Sequence, residues 1–165
     1  DLTLLPLLHR PDPAPLGRLI GHVARANPQW KRLDGGVAAM AVFQAGDYYV
    51  SPAWYPSKQQ GGRVVPTWNY ETVVAWGRLT LLQAPEQILP IVTALTERHE
   101  GLRAAAGQGE AWAVSDAPAD FVQAQLKGIV GFDLAIERLE GKRKLSQNRT
   151  PEDRAAVMAM RAQEG

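Results

Sequence analysis

The chain has 165 residues, 45% of them hydrophobic, a length and composition that suit one domain with an ordinary core. A formal net charge of +1 gives no strong overall field toward nucleic acid or anionic membrane, so any anion site has to be local. The absence of cysteine excludes disulfides, thiolate metal sites and thiol catalysis, and every apolar run stops well short of the roughly 18 residues of a membrane span, so a soluble cytoplasmic protein is expected.

The sequence starts at Asp1 without a methionine and passes straight into the apolar run Leu2 to Leu8, which predicts a preceding segment. Leu2 to Leu8, Arg18 to Ala24, Val37 to Phe43 and Tyr48 to Val50 are short apolar or alternating runs, separated by "RPDPAP", "DGG" and "AGD" as strands are separated by turns. Both alternate faces of Val37 to Phe43 are apolar, which predicts a strand covered on both sides and a closed or partly closed barrel. Asn27 is placed to cap a short helical turn in "PQWKRL", with Pro28 at its first position, where a missing N–H costs nothing. Residues 67–83 read as one long strand that Gly77 would bend round a barrel corner.

The period then changes. After Pro85, Ile88, Leu89, Val92 and Leu95 recur at helical spacing, with Glu97, Arg98 and Glu100 off that stripe and Gly101 as a stop. "AAAGQGE" reads as a link; Ser115 or Asp116 would start a second helix that turns Phe121, Leu126 and Ile129 inward, and "IVGFDLAIERLEGKRKL" returns to strand. Thr150 would cap a last helix over residues 151–165, with Pro151 at its first position and Glu152 and Asp153 near its positive end.

No nucleophile elbow, zinc-protease motif, phosphate loop or dinucleotide fingerprint is present, so no catalytic residue is assigned. His9, His22 and His99 lack ligand spacing, and no metal is expected. His22, Arg25 and Asn27 in "GHVARANP" read either as a strand-edge histidine with a capping asparagine or as a polar cluster at a barrel rim that can hold an anion. "GKRKLSQNR" combines Lys142, Arg143, Lys144 and Arg149 with Ser146, Gln147 and Asn148; it is either a solvated strand end or a grip for phosphate and a polyhydroxyl chain. In "SPAWYPSKQQGGRVVPTWNY", residues 51–70, Trp54, Tyr55, Trp68 and Tyr70 interleave with Ser51, Ser57, Lys58, Arg63, Thr67 and Asn69. A dry core would avoid those polar partners, whereas a flat, partly polar ligand with a negative tail fits both sets, and flavin mononucleotide (FMN) has that shape.

"GHVARANPQW", "SPAWYPSK", "GRVVPTWNY", "VSDAPADF" and "LEGKRKLSQNR", in this order, resemble the PaiB-type family of FMN-binding split-barrel proteins, over almost the whole chain. The resemblance implies a six-stranded split β-barrel with flanking helices, an α+β fold in a single domain over residues 1–165. It implies a homodimer with FMN at the subunit interface, and a further strand and helix ahead of Leu2. It also implies a negative transcriptional regulator of protease production and sporulation, with DNA contact resting on the family description alone. Related split barrels are flavin-dependent oxidoreductases and flavin reductases, and fold does not choose between the two functions. The residues expected around FMN are His22, Arg25, Asn27, Ser51, Trp54, Lys58, Thr67, Trp68, Asn69, Lys144, Ser146, Gln147 and Arg149, with Lys58 and Arg25 on the phosphate and Lys144 and Arg149 at the rim or the partner subunit.

Overall fold

The computed structural model of the protein describes residues 2–11, 15–33 and 36–164. The strands are β1 (Leu8–Arg10), β2 (Arg18–Ala24), β3 (Val37–Val50), β4 (Thr67–Leu82) and β5 (Ile129–Lys144), and the helices are α1 (Pro85–Ala105), α2 (Ala119–Leu126) and α3 (Pro151–Glu164). Short 3-10 turns lie at Pro28–Arg32, Pro52–Trp54, Pro56–Gln60 and Val114–Asp116. The strand order is β1-β2-β5-β4-β3; among the described residues the sheet has five strands, where the resemblance implies six. The chain divides into two compact units, residues 1–40 with 75–138 and residues 41–74 with 139–165. No helix among the described residues is long and apolar enough to cross a membrane.

In the first unit β2 pairs antiparallel with β1 through Leu8 and Ile20, and with β5 through Ile20 and Asp133 and through His22 and Gly131. Leu8 and Ile20 pack with Ile91 and Leu95 of α1, joined by Leu82 and Ala94. The buried stripe of α1 is Ile88, Ile91 and Leu95, each contributing about 1.5–3 kcal/mol by leaving water. Gly77 is buried on β4, and a Cβ there would overlap the Ala135 carbonyl of β5. Only glycine allows the two backbones to come so close.

The second unit has its own core of Val50, Tyr55 and Val157, against which Tyr48, Trp54 and Val64 pack. Thr150 begins α3 as the sequence predicts: its Oγ1 accepts from the Asp153 amide at 3.2 Å.

Several elements differ from the sequence reading. Regular strand begins at Leu8, and Leu2 and Leu4 of the apolar run are exposed, because only residues 8–10 find a partner, on β2. "AGD" is no turn: β3 continues through it, since Gly46 does not need positive φ and extends as strand. Met40, Val42 and Phe43 are exposed, so Val37–Phe43 is not covered on both faces among the described residues. α1 passes Gly101 and ends at Ala105, where Arg103 binds Glu100 and the carbonyls of Gln108 and Glu110. Residues 114–116 form a separate 3-10 turn and α2 starts only at Ala119, because Ala117, preceding Pro118, is held extended at ψ 148°. In α2, Leu126 is buried and Phe121 is exposed, since an eight-residue helix presents one inward stripe and Phe121 lies off it. The turns expected at "RPDPAP" and "DGG" fall partly on residues 12–14 and 34–35, outside the described residues.

Candidate functional site

Residues 51–60 of the second unit are built from two successive 3-10 turns, each opened by a proline whose φ is preset and whose absent N–H is not missed. Ser51 caps the first, its Oγ accepting from the Ala53 amide at 3.1 Å. Tyr55, between the turns, is 2% exposed and pins the loop to the core; its hydroxyl has no hydrogen-bond partner among the described residues, and the Arg149 guanidinium lies 4.6 Å from its ring centroid. Ser57, in the second turn, is held by Asp153 of α3: the carboxylate accepts from the Ser57 amide at 3.0 Å and from its hydroxyl at 2.7 Å. The outer side of this double turn borders a cavity of about 480 Å³ lined by Ala53, Trp54, Tyr55, Pro56, Lys58 and Gln59.

The start of β4 and the end of β5 make a second cluster in the same unit. Lys144 Nζ donates to Thr67 Oγ1 at 2.8 Å and lies 5.9 Å from the Tyr70 ring centroid, with Lys142 Nζ at 5.6 Å. Trp68 is half exposed; its indole N–H donates to Asp47 at 3.1 Å and its ring lies 6.3 Å from that of Tyr49. Beneath them Asn69 is fully buried: its Oδ1 accepts from Ser146 Oγ at 3.1 Å and its Nδ2 donates to the Tyr48 hydroxyl at 3.1 Å. Ser146 sits at φ 60°, the left-handed region, and the chain turns around it. Gln147 closes that turn, accepting from the Leu145 amide at 2.7 Å and donating to the Arg143 carbonyl at 2.6 Å.

Three further candidates lie in the first unit. His22 shares a register position with Gly131, and a Cβ on Gly131 would touch Ile91, Leu82 and Ile88, so His22 is on the face of β2 that packs against α1. Its Nδ1 is buried without a partner among the described residues, and burial pushes the imidazole below its usual value of 6.5. Arg25 donates to the carbonyls of Lys127 at 2.9 Å and Ile129 at 3.1 Å and reaches Gln83 at 3.4 Å, with Trp30 5.4 Å below. Asn27 caps the turn at Pro28, accepting from the Gln29 amide at 2.9 Å, and donates to Thr3 at 3.1 Å. Of the two readings of "GHVARANP", the strand-edge histidine and the capping asparagine describe these contacts.

Among the thirteen candidates, then, Trp54 and Lys58 line the cavity, while Thr67, Trp68, Lys144 and Arg149 present rings, a hydroxyl and cations. Asn69 and Ser146 are buried and bonded to each other, whereas Ser51 and Gln147 bond the backbone of their own turns; the four shape the two clusters. Sequence reasoning missed Tyr48 and Tyr49 and took Asp153 for a helix-end charge; nothing local marks a carboxylate that reaches a serine 96 residues away. The set suits FMN. Lys58, Lys142, Lys144 and Arg149 have no carboxylate partner among the described residues, so an anionic tail would meet cations not already neutralised, beside aromatic faces able to cover a flat ring.

Residues 1–138 match the family model described as "Putative FMN-binding domain". The chain is 32% identical to the Bacillus subtilis "Protease synthase and sporulation protein PAI 2", an alignment covering 82% of this chain and 60% of that protein. It is 34% identical to an uncharacterised protein of Aspergillus fumigatus, over 86% of this chain and 65% of the other. The chain thus spans less than two thirds of the length of these relatives. Among solved structures, the FAD and heme binding protein from Mycobacterium smegmatis superposes with a TM-score of 0.51 at 20% identity, covering 84% of this chain and 60% of that one, a likeness of fold. By this match and the α+β split-barrel architecture, the chain belongs to the PaiB-type family of FMN-binding proteins, and its cofactor is FMN.

Proposed function

We propose that the protein is a cytoplasmic FMN-binding regulator of PaiB type, a module whose flavin occupancy or redox state sets its activity, working as a homodimer. The observation that carries the reading is the pairing of unneutralised cations with aromatic faces in the second unit. The regulatory half is supported by the name of the Bacillus subtilis relative, which links that protein to protease synthesis and sporulation. Exposed Val42, Phe43, Tyr49, Trp68 and Val73 on the strands of the second unit support cover by a second copy, since apolar strand surface left open invites pairing.

Bound FMN supplies one- and two-electron chemistry, and the side chains around it need only bind and orient. Lys58, beside the cavity and without a side-chain partner among the described residues, is the residue assigned to the phosphate. Lys144 holds the Thr67 hydroxyl in place and, with Arg149, lends positive potential. Arg25, with its guanidinium engaged by two carbonyls and an amide oxygen, is left out of the phosphate set. A charge-assisted contact to phosphate is worth about 1.5–3 kcal/mol, so Lys58→Ala should weaken FMN about ten-fold or more and leave riboflavin, which has no phosphate, nearly unchanged.

The test of the regulator reading is spectroscopic. Protein reconstituted with FMN should show a bound-flavin visible spectrum that persists for minutes after anaerobic addition of reduced nicotinamide cofactor. Rapid bleaching would replace the regulator with the alternative, a flavin-dependent oxidoreductase or flavin reductase.

A further inference from the structure

Asp153 lies in α3, beyond residues 1–138 that match the family model, and its carboxylate does something its local position does not call for. It is the third residue after the capping Thr150, where a carboxylate ordinarily reaches back to the amide of the cap. Here both carboxylate oxygens are taken by Ser57, one by its amide and one by its hydroxyl. The side chain is 2% exposed and has no cationic partner among the described residues, so the two Ser57 donors and the N-terminal end of α3 are what stabilise its charge.

The serine end is equally informative. Ser57 is the second residue of the 3-10 turn Pro56–Gln60, and its amide is one of the early ones that have no partner inside such a turn. Tyr55, buried two residues earlier, fixes the entry of the turn, and Asp153 fixes its first residues. Lys58 and Gln59 follow directly, exposed at the cavity, before Gly61 and Gly62 at positive φ release the chain. Without Asp153 the segment bearing Lys58 would be tethered on one side only.

We propose that Asp153 is a positioning residue for the FMN site: acting through Ser57, it sets where Lys58 meets the phosphate. The C-terminal helix is then part of the binding apparatus. This rests on the assignment of Lys58 to the phosphate, and the experiment separates the two. Dissociation constants for FMN and for riboflavin are measured by quenching of flavin fluorescence for the parent protein and for Lys58→Ala, Asp153→Ala, Asp153→Asn and Ser57→Ala, with thermal midpoints alongside.

Lys58→Ala should cut the preference for FMN over riboflavin about ten-fold, and Asp153→Ala should reproduce that loss with Lys58 still present. Ser57→Ala, which keeps the amide bond, should lose about three-fold, and Asp153→Asn should recover most of the preference because its Oδ1 still accepts from the Ser57 amide. If Lys58→Ala lowers the preference and Asp153→Ala leaves it at the parent value, or weakens FMN and riboflavin equally, the positioning role is overturned and the Lys58 assignment stands. If Lys58→Ala itself leaves the preference unchanged, the phosphate assignment falls and the role of Asp153 falls with it. Should Asp153→Ala fail to fold, Ser57→Ala decides: an unchanged preference overturns the proposal.

Discussion

Replacing Asn69 by alanine should be among the most destabilising single changes in the second unit, and the size of the loss follows from its contacts. The side chain is fully buried and joins Ser146 Oγ to the Tyr48 hydroxyl, each at 3.1 Å. Ser146 is 5% exposed, so its hydroxyl would be left without an acceptor where water has little access, at about 1–3 kcal/mol. Tyr48 is only half-buried, so water can replace the lost donor and the cost there is below about 1 kcal/mol. The sum, about 1–4 kcal/mol, appears in urea titrations as a lower midpoint at unchanged slope. It should also lower the thermal midpoint by roughly 2–16 °C for a chain of this size. A double-mutant cycle with Ser146→Ala should give a coupling of about 1 kcal/mol or more, because the two side chains share one bond. A loss below about 0.5 kcal/mol for Asn69→Ala, with additive double mutants, would show that the buried network does not hold the "KLSQNR" turn.

Other expectations are sharper in sign than in size. Ser146→Gly should be better tolerated than Ser146→Ala, because glycine relieves a left-handed backbone that costs other residues about 1–2 kcal/mol; equal losses by urea titration would refute this. Gly77→Ala should destabilise by about 3 kcal/mol or more, since the new methyl meets the Ala135 backbone rather than a movable side chain, whereas Gly46→Ala, with open space at its Cβ, should stay within about 0.5 kcal/mol; similar thermal midpoints for the two would contradict the close approach of β4 and β5. Because burial holds His22 below its usual 6.5, the unfolded chain takes up this proton first: the contribution is intact above that pH and is lost as pH falls through 6.5, until the folded value is passed. The slope is at most about 1.4 kcal/mol per pH unit, and a stability difference between the parent and His22→Phe that stays flat from about pH 5 to 8 would remove the argument.

What could be read in the sequence was what neighbours along the chain decide. Asn27 with Pro28 and Thr150 with Pro151 announce helix starts because a cap and its amide lie within three residues, and both caps form as expected. Gly77 could be singled out as a glycine within an otherwise unbroken strand, expected to bend it at a barrel corner, and the structure gives it a close approach to the Ala135 backbone. "AGD" could not be resolved in the same way. A glycine flanked by small and acidic residues serves a turn or a strand alike, and the continuous β3 depends on pairing that the tripeptide does not encode. α2 was displaced by a similar ambiguity, since Asp116 can open a helix but Pro118 fixes the residue before it in an extended conformation.

The candidate site shows where this kind of reading stops. Residue type alone distinguished "SPAWYPSKQQGGRVVPTWNY" and "GKRKLSQNR" as chemically unusual, and the two do meet within one unit, through Lys144 with Thr67 and Ser146 with Asn69, each pair 77 residues apart. Type could not divide labour within either segment. In "KLSQNR" the serine turns inward to a buried amide and the glutamine binds the backbone of its own turn, while the lysine and the arginine lie against aromatic rings. The residue at 146 is also in the left-handed region, a backbone state that residue type does not announce for a serine. A six-residue stretch with five polar side chains therefore includes both the structural supports of a site and its exposed charges. Mutating any one of them tests binding only when stability is measured beside it.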